Sequence, residues 1–156
     1  MELDATDVAL LRLLVEEPRA GGREYARVLG IARGTVTSRL LRLERRGAIS
    51  GYAAQISPSA LGFDIEAFVH LHLAQGMLDS VSAQLAEIPE LLEAHSTTGE
   101  GDMLCRVVAR SNAHLELIVQ SLLIVPGVVR TKTEMAMRQR VGYRMLPLLL
   151  KVAHEM

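Results

Sequence analysis

With a single cysteine, Cys105, in 156 residues, the chain has no internal disulfide, which fits a reducing compartment. No apolar run is long enough to span a bilayer and no charged-then-apolar leader opens the sequence. A soluble, cytoplasmic protein without membrane association is therefore expected. Low-complexity tracts are missing and 49% of the residues are hydrophobic, which argues against disorder and for one ordinary domain or two small ones. Net charge is nearly absent as well, at −1, and it excludes nothing until it is localised. Residues 19–46 carry eight arginines against two glutamates, whereas from residue 53 onward eight Lys and Arg face eleven acids. A basic module is joined to a mildly acidic body, and that asymmetry points to a polyanion as partner of the first third.

The basic third is organised around residues 30–47. Read as a helix over 33–46, it places Val36, Leu40 and Leu43 on one side at spacings of four and three. Gly34, Thr35, Ser38, Arg42 and Arg45 fall on the other side, and Gly47 stands where a left-handed C-cap is expected. An apolar stripe under an Arg/Ser/Thr outer face suits insertion into a DNA major groove, although an isolated basic helix is equally often plain solvated surface. The neighbours decide in favour of DNA. A first helix over 1–17, capped by Asp4 or Thr6, carries Val8, Leu11, Leu14 and Val15 and ends at Pro18. A second over 23–29 points Tyr25, Ala26, Val28 and Leu29 inward, and Gly30 supplies the tight turn. Two short helices joined by a glycine turn, the second one basic, form the helix-turn-helix pattern.

Residues 48–56 have strand character, and Ser57, Pro58, Ser59 and Gly62 mark a hinge. The expected domains are 1–52 for the DNA-binding module, 53–63 for a strand and hinge linker, and 64–156 for the second domain. Beyond the hinge the rhythm changes. A strand over 66–74 alternates Phe68, His70 and His72 against Val69, Leu71 and Leu73. A helix marked by Leu78, Val81, Leu85 and Ile88 stops at Pro89. Strands over 91–98 and 103–109 flank a turn at 99–102, and Ser111-Asn112 caps a helix carrying Leu115, Ile118, Leu122 and Val125. A fourth strand covers 128–137. The order β-α-β-β-α-β is the ferredoxin-like split unit, so the fold class is α+β, with two helices on one sheet face and the other face left for a second subunit. The tail reads as a short strand and a helix, its apolar run 145–150 broken by Pro147.

The chain resembles the Lrp/AsnC (feast/famine) family of prokaryotic transcription regulators over nearly its whole length. The resemblance is carried by Leu3-Asp4-x-x-Asp7, by Leu40-x-x-Leu43-Glu44-x-x-Gly47-x-Ile49-x-Gly51-Tyr52, by Thr98-Gly99-Glu100-x-Asp102, and by Pro126-Gly127-Val128 with Thr131 and Thr133 beyond. It implies a winged or plain helix-turn-helix linked to a ferredoxin-like regulation-of-amino-acid-metabolism (RAM) domain, homodimers that assemble to tetramers or octamers, and an amino acid or similar small molecule as effector. Two departures stand out: Ala32 replaces the usual Ser or Thr cap of the third helix, and Arg19-Ala-Gly-Gly22 lacks the hydroxyl cap of the second.

Arg33, Thr35, Ser38, Arg39, Arg42 and Arg45 are the expected contacts to double-stranded DNA, since Arg forks onto guanine edges and Ser or Thr donates to phosphate or base. For Arg39, a phosphate contact and an internal ion pair with Glu44 or Glu24 are both open. Arg42→Ala is expected to lose operator affinity without unfolding. Thr98, Gly99, Glu100, Gly101 and Asp102 form the expected effector loop. Its glycines let backbone N–H groups approach a carboxylate while Glu100 or Asp102 takes an ammonium group; a plain β-turn is the alternative. His70 and His72 have a metal-compatible spacing but no third ligand nearby, so neither a metal nor another cofactor is expected. Cys105 reads as core. Two competing functions remain. Sirohaem decarboxylases resemble the same two-domain architecture, and His70, His72, His95 and His114 keep an enzyme open, although no tetrapyrrole-binding cluster of Arg, Asn and aromatic residues stands out. An interaction protein with a degenerate DNA module rests on Ala32 alone.

Overall fold

A computed structural model describes residues 3–156 and divides the chain into two compact units, one running up to Ala54 together with Val141–Met156, the other Gln55–Arg140.

In the first unit α1 spans Ala5–Glu16, α2 Gly22–Leu29, α3 Arg33–Arg45 and α6 Leu146–Glu155. Asp4 is the N-cap of α1. It accepts from the Asp7 N–H at 2.8 Å while Asp7 accepts from the Asp4 N–H at 3.3 Å, so two of the helix's orphan donors are satisfied reciprocally. The core is Leu10, Tyr25, Ala26, Val36 and Leu43. The expected stripe on α1 is corrected: Leu10 is fully buried whereas Val15 is 44% exposed, because α1 packs on α2 and α3 and also on α6. Val28 on α2 is likewise exposed, two residues and more than half a helical turn from buried Ala26. The buried Tyr25 hydroxyl donates to the Glu17 carbonyl at 2.8 Å and ties α2 to the end of α1. Gly30 (φ 65°) and Gly47 (φ 73°) end α2 and α3 in the left-handed region that favours glycine.

Three further expectations are revised. Residues 48–56 form no strand. Ala48 and Ile49 donate back to the Leu43 carbonyl, and the extended segment beyond them finds no strand to pair with among the described residues. The tail also lacks its strand. Pro147 does not break the apolar run but opens α6, where a missing N–H costs nothing. Finally, α6 packs on α1 and lies in the first unit, whereas the sequence assigned the whole of 64–156 to the second.

In the second unit β1 (Ile65–Leu73), β2 (Leu91–Ser96), β3 (Met103–Ala109) and β4 (Val128–Met135) form one antiparallel sheet in the order β2-β3-β1-β4. The order is that of the β-α-β-β-α-β unit, with α4 (Leu78–Leu85) and α5 (Asn112–Leu123) as its helices. Ala67, Val69 and Leu71 of β1 and Met103, Cys105 and Val107 of β3 pack with Val81, Leu85, Leu115, Ile118 and Leu122. The Cys105 thiol is fully buried here, and desolvation pushes it up to about 11. Alternation sends Phe68, His70 and His72, with Leu104 and Arg106, to the opposite face. That face is largely polar: Glu66 takes two hydrogen bonds from Arg106, at 2.7 and 3.2 Å, and Lys132 lies 2.9 Å from Glu134.

Candidate DNA interface and effector loop

The third helix owes its orientation to Val36 and Leu43, which are at most 1% exposed and lock one side of α3 into the core. The other side is open. Thr35, Ser38, Arg39, Arg42 and Arg45 line a shallow depression of about 340 Å³, and Arg33 stands exposed on the first helical turn outside it. Five of the six residues expected to touch DNA therefore share one surface. Ser38 Oγ donates to the Thr35 carbonyl at 3.0 Å and Arg45 Nε to the Leu41 carbonyl at 3.2 Å, contacts that a nucleic-acid acceptor can replace. As expected from Ala32 and Gly21, neither α3 nor α2 has a side-chain cap.

Arg39 and Arg42 are held differently from the rest. Arg39 pairs neither with Glu44 nor with Glu24; its Nη1 donates to Asp4 at 2.5 Å and to Asp7 at 2.7 Å. Arg42 Nη2 donates to both Asp7 oxygens, at 2.6 and 2.5 Å. The hydrogen bond from Arg39 holds the Asp4 carboxyl below its ordinary range. Burial pushes the Asp7 carboxyl up, but the bonds from Arg39, from the Asp4 N–H and from Arg42 outweigh it, and the net shift is downward. The sequence offered Asp4 or Thr6 as the cap of α1 and did not foresee that Asp4 and Asp7 hold two arginines of α3. The available signal was the matching spacing of three, Asp4 to Asp7 on α1 and Arg39 to Arg42 on α3, which places both pairs on single helix faces.

In the second unit, Thr98, Gly99, Glu100, Gly101 and Asp102 lie together in the β2–β3 turn. The turn is tied to β1, since the Asp102 N–H donates to the Leu71 carbonyl at 2.8 Å and Asp102 Oδ2 accepts from the Leu73 N–H at 2.7 Å. Gly101 is required by this approach: its φ is 83°, and a Cβ there would stand 3.1 Å from the Leu71 oxygen. Glu100 accepts from Lys132 of β4 at 3.0 Å, which lowers its carboxyl. Lys132 was not singled out in the sequence; its side chain reaches the turn from β4, where it pairs with His70 of β1. His70 Nδ1 lies 3.0 Å from the Glu100 carbonyl, and the Arg130 guanidinium donates to His72 Nε2 at 2.9 Å. Among the described residues no group of three or more His, Cys, Asp and Glu is placed to hold a metal ion.

A helix-turn-helix with a cationic outer face, on one chain with a helix-backed antiparallel sheet, defines a two-domain DNA-binding regulator. The AsnC-type helix-turn-helix domain matches residues 3–44 and the Lrp/AsnC ligand binding domain matches residues 66–146. The HTH-type transcriptional regulator FL11 of Pyrococcus horikoshii is 29% identical over 94% of this chain and 97% of its own length. The leucine-responsive regulatory protein of Rhizobium meliloti is 33% identical, covering 89% and 92%. A crystal structure of a Neisseria meningitidis transcriptional regulator in complex with L-Met has the same fold, with a TM-score of 0.83 at 23% identity over 94% of this chain and 99% of that one. The chain belongs to the Lrp/AsnC family of transcriptional regulators. It is a DNA-binding regulator with a ligand-binding domain and not an enzyme, and nothing in these relatives supports the tetrapyrrole decarboxylase.

Proposed function

We propose that α3 reads operator DNA through Arg33, Thr35, Ser38, Arg39, Arg42 and Arg45, and that an amino acid or similar small molecule bound near residues 98–102 alters how the protein assembles on that DNA. The observation that supports this best is the shared depression on α3, whose five lining residues are all hydrogen-bond donors of the kinds that meet bases and phosphates. The effector half draws support from the glycine-bearing turn beside Lys132 and from two relatives, one called leucine-responsive and one complexed with L-Met. Glu100 and one oxygen of Asp102 already have protein partners, so an ammonium group competes with Lys132 for Glu100 or takes the other Asp102 oxygen.

The assembly is a homodimer, with tetramers or octamers built from it. The sheet face bearing Phe68 and Leu104 has no helix over it within its own unit, and closed symmetry is the usual way to cover such a face. For the DNA module and the linker that follows it we propose limits of 1–52 and 53–63. The working location is the cytoplasm, where the DNA is; among the described residues no helix is long and apolar enough to cross a membrane. The test is selection of a binding duplex from a random-sequence pool, followed by gel-shift titration with and without each of the twenty amino acids. One preferred duplex and at least one amino acid that moves its midpoint are expected. A protein that retains no duplex, or that no amino acid affects, contradicts the corresponding half of the reading.

A further inference from the structure

The Asp7 carboxylate is 1% exposed and takes hydrogen bonds from two arginines on successive turns of the helix that faces DNA. Each arginine spends one terminal nitrogen on the acids, Nη1 for Arg39 and Nη2 for Arg42. Both side chains still line the depression on α3, at 23% and 38% exposure, so their remaining N–H groups are left for a ligand there. A free arginine loses rotamer entropy on binding, and an anchor on one terminal nitrogen removes part of that cost beforehand. Charge is affected too. Two carboxylates against two guanidiniums leave this cluster neutral, so Arg39 and Arg42 attract phosphate weakly while keeping their directed donors.

We propose that Asp7, assisted by Asp4, is a positioning residue for DNA recognition: it aims Arg39 and Arg42 of α3 at the duplex and cancels their charge, so that binding depends on fit to the right sequence more than on attraction to any phosphate. The proposal rests on the reading of α3 as the recognition helix. A carboxylate serving only to hold α1 against α3 would be satisfied by one arginine; here two converge on it, and both face the depression.

Asp7→Asn tests it, because the amide keeps an acceptor for the Asp4 N–H while it removes the charge and replaces the oxygen that accepts from both arginines with a donor. Fluorescence anisotropy on the duplex selected by the wild-type protein and on a scrambled duplex of equal length, from low to high salt, gives both affinities and their salt slopes. The released arginines should tighten binding to the scrambled duplex and steepen its slope by about 0.9 for each new phosphate contact. The preference for the selected duplex should fall by about tenfold, the scale of one well-aimed guanidinium–base contact. Equal weakening on both duplexes with an unchanged slope means a purely structural role and overturns the proposal. If Asp7→Asn does not fold, Asp4→Asn carries the test. Of the two arginines Asp4 reaches only Arg39 within 3.5 Å, and Asn is an equally good N-cap, so a smaller shift in the same direction is expected and no shift overturns the proposal. A wild-type protein that discriminates among duplexes while both variants behave like it sinks this inference alone. A wild-type protein that selects no duplex sinks the recognition reading beneath it.

Discussion

Arg42 illustrates what a single residue does in two capacities. The sequence placed it on the outer face of α3, where it is, and implied that its removal would spare the fold. Its bond to buried Asp7 changes that expectation. Arg42→Ala should lower operator affinity and also destabilise the first unit by about 1–3 kcal/mol, the usual cost of a hydrogen bond to a buried charge; thermal melting beside the gel shift separates the two effects. The same cluster sets an acid limit. Asp4 and Asp7 both have folded values below the ordinary 3.8, so they bind fewer protons folded than unfolded. Their stabilisation is complete above 3.8 and is lost as pH falls through the lowered values. A melting series from neutral pH to pH 2 should show this loss in the wild type and a flatter profile in Asp4→Asn; identical profiles would contradict it.

At the scale of elements, most of the fold was legible because period and punctuation agreed. Val36 and Leu43 set the buried side of α3, Ser111 caps α5 with a 3.1 Å bond to the His114 N–H, and the alternation in β1 assigns its two faces correctly. What failed has a common cause in long-range contact. Strand formation at 48–56 needs a partner edge that local sequence cannot supply, and Val15 or Val28 look buried until the neighbouring helices are in place. The candidate DNA face was readable as a list of residues, but the acids that hold two of them lie more than thirty positions away. The uncapped start of α3 makes an element-level prediction. Ala32 already has extended backbone (φ −66°, ψ 143°), so Ala32→Ser should add the missing cap without rearrangement and stabilise the protein by about 0.5–2 kcal/mol. An unchanged melting temperature would mean that water caps this helix equally well. In the β2–β3 turn, Gly101→Ala meets both a positive φ and the Leu71 oxygen, and should cost about 1–3 kcal/mol. Calorimetry measures that cost directly.

On the scale of the whole molecule, a charge-bearing module shares a chain with a sheet that has one face without a helix of its own unit over it. Phe68 sits on that face, cross-strand from Arg106 and Glu134. Phe68→Glu adds a further acid to a face that already carries Glu66 and Glu134, and should reduce the mass seen by light scattering toward that of one chain; an unchanged mass would place the subunit interface elsewhere. The central claim, that the outer side of α3 meets DNA, is tested most directly by Arg45→Ala. Arg45 lines the depression, lies on an exposed turn and has no carboxylate partner among the described residues, so the fold should be unaffected. Anisotropy titration against the selected duplex should show about tenfold weaker binding and a salt slope flatter by about 0.9, with the melting temperature unchanged. Wild-type affinity and slope in this variant would contradict the account.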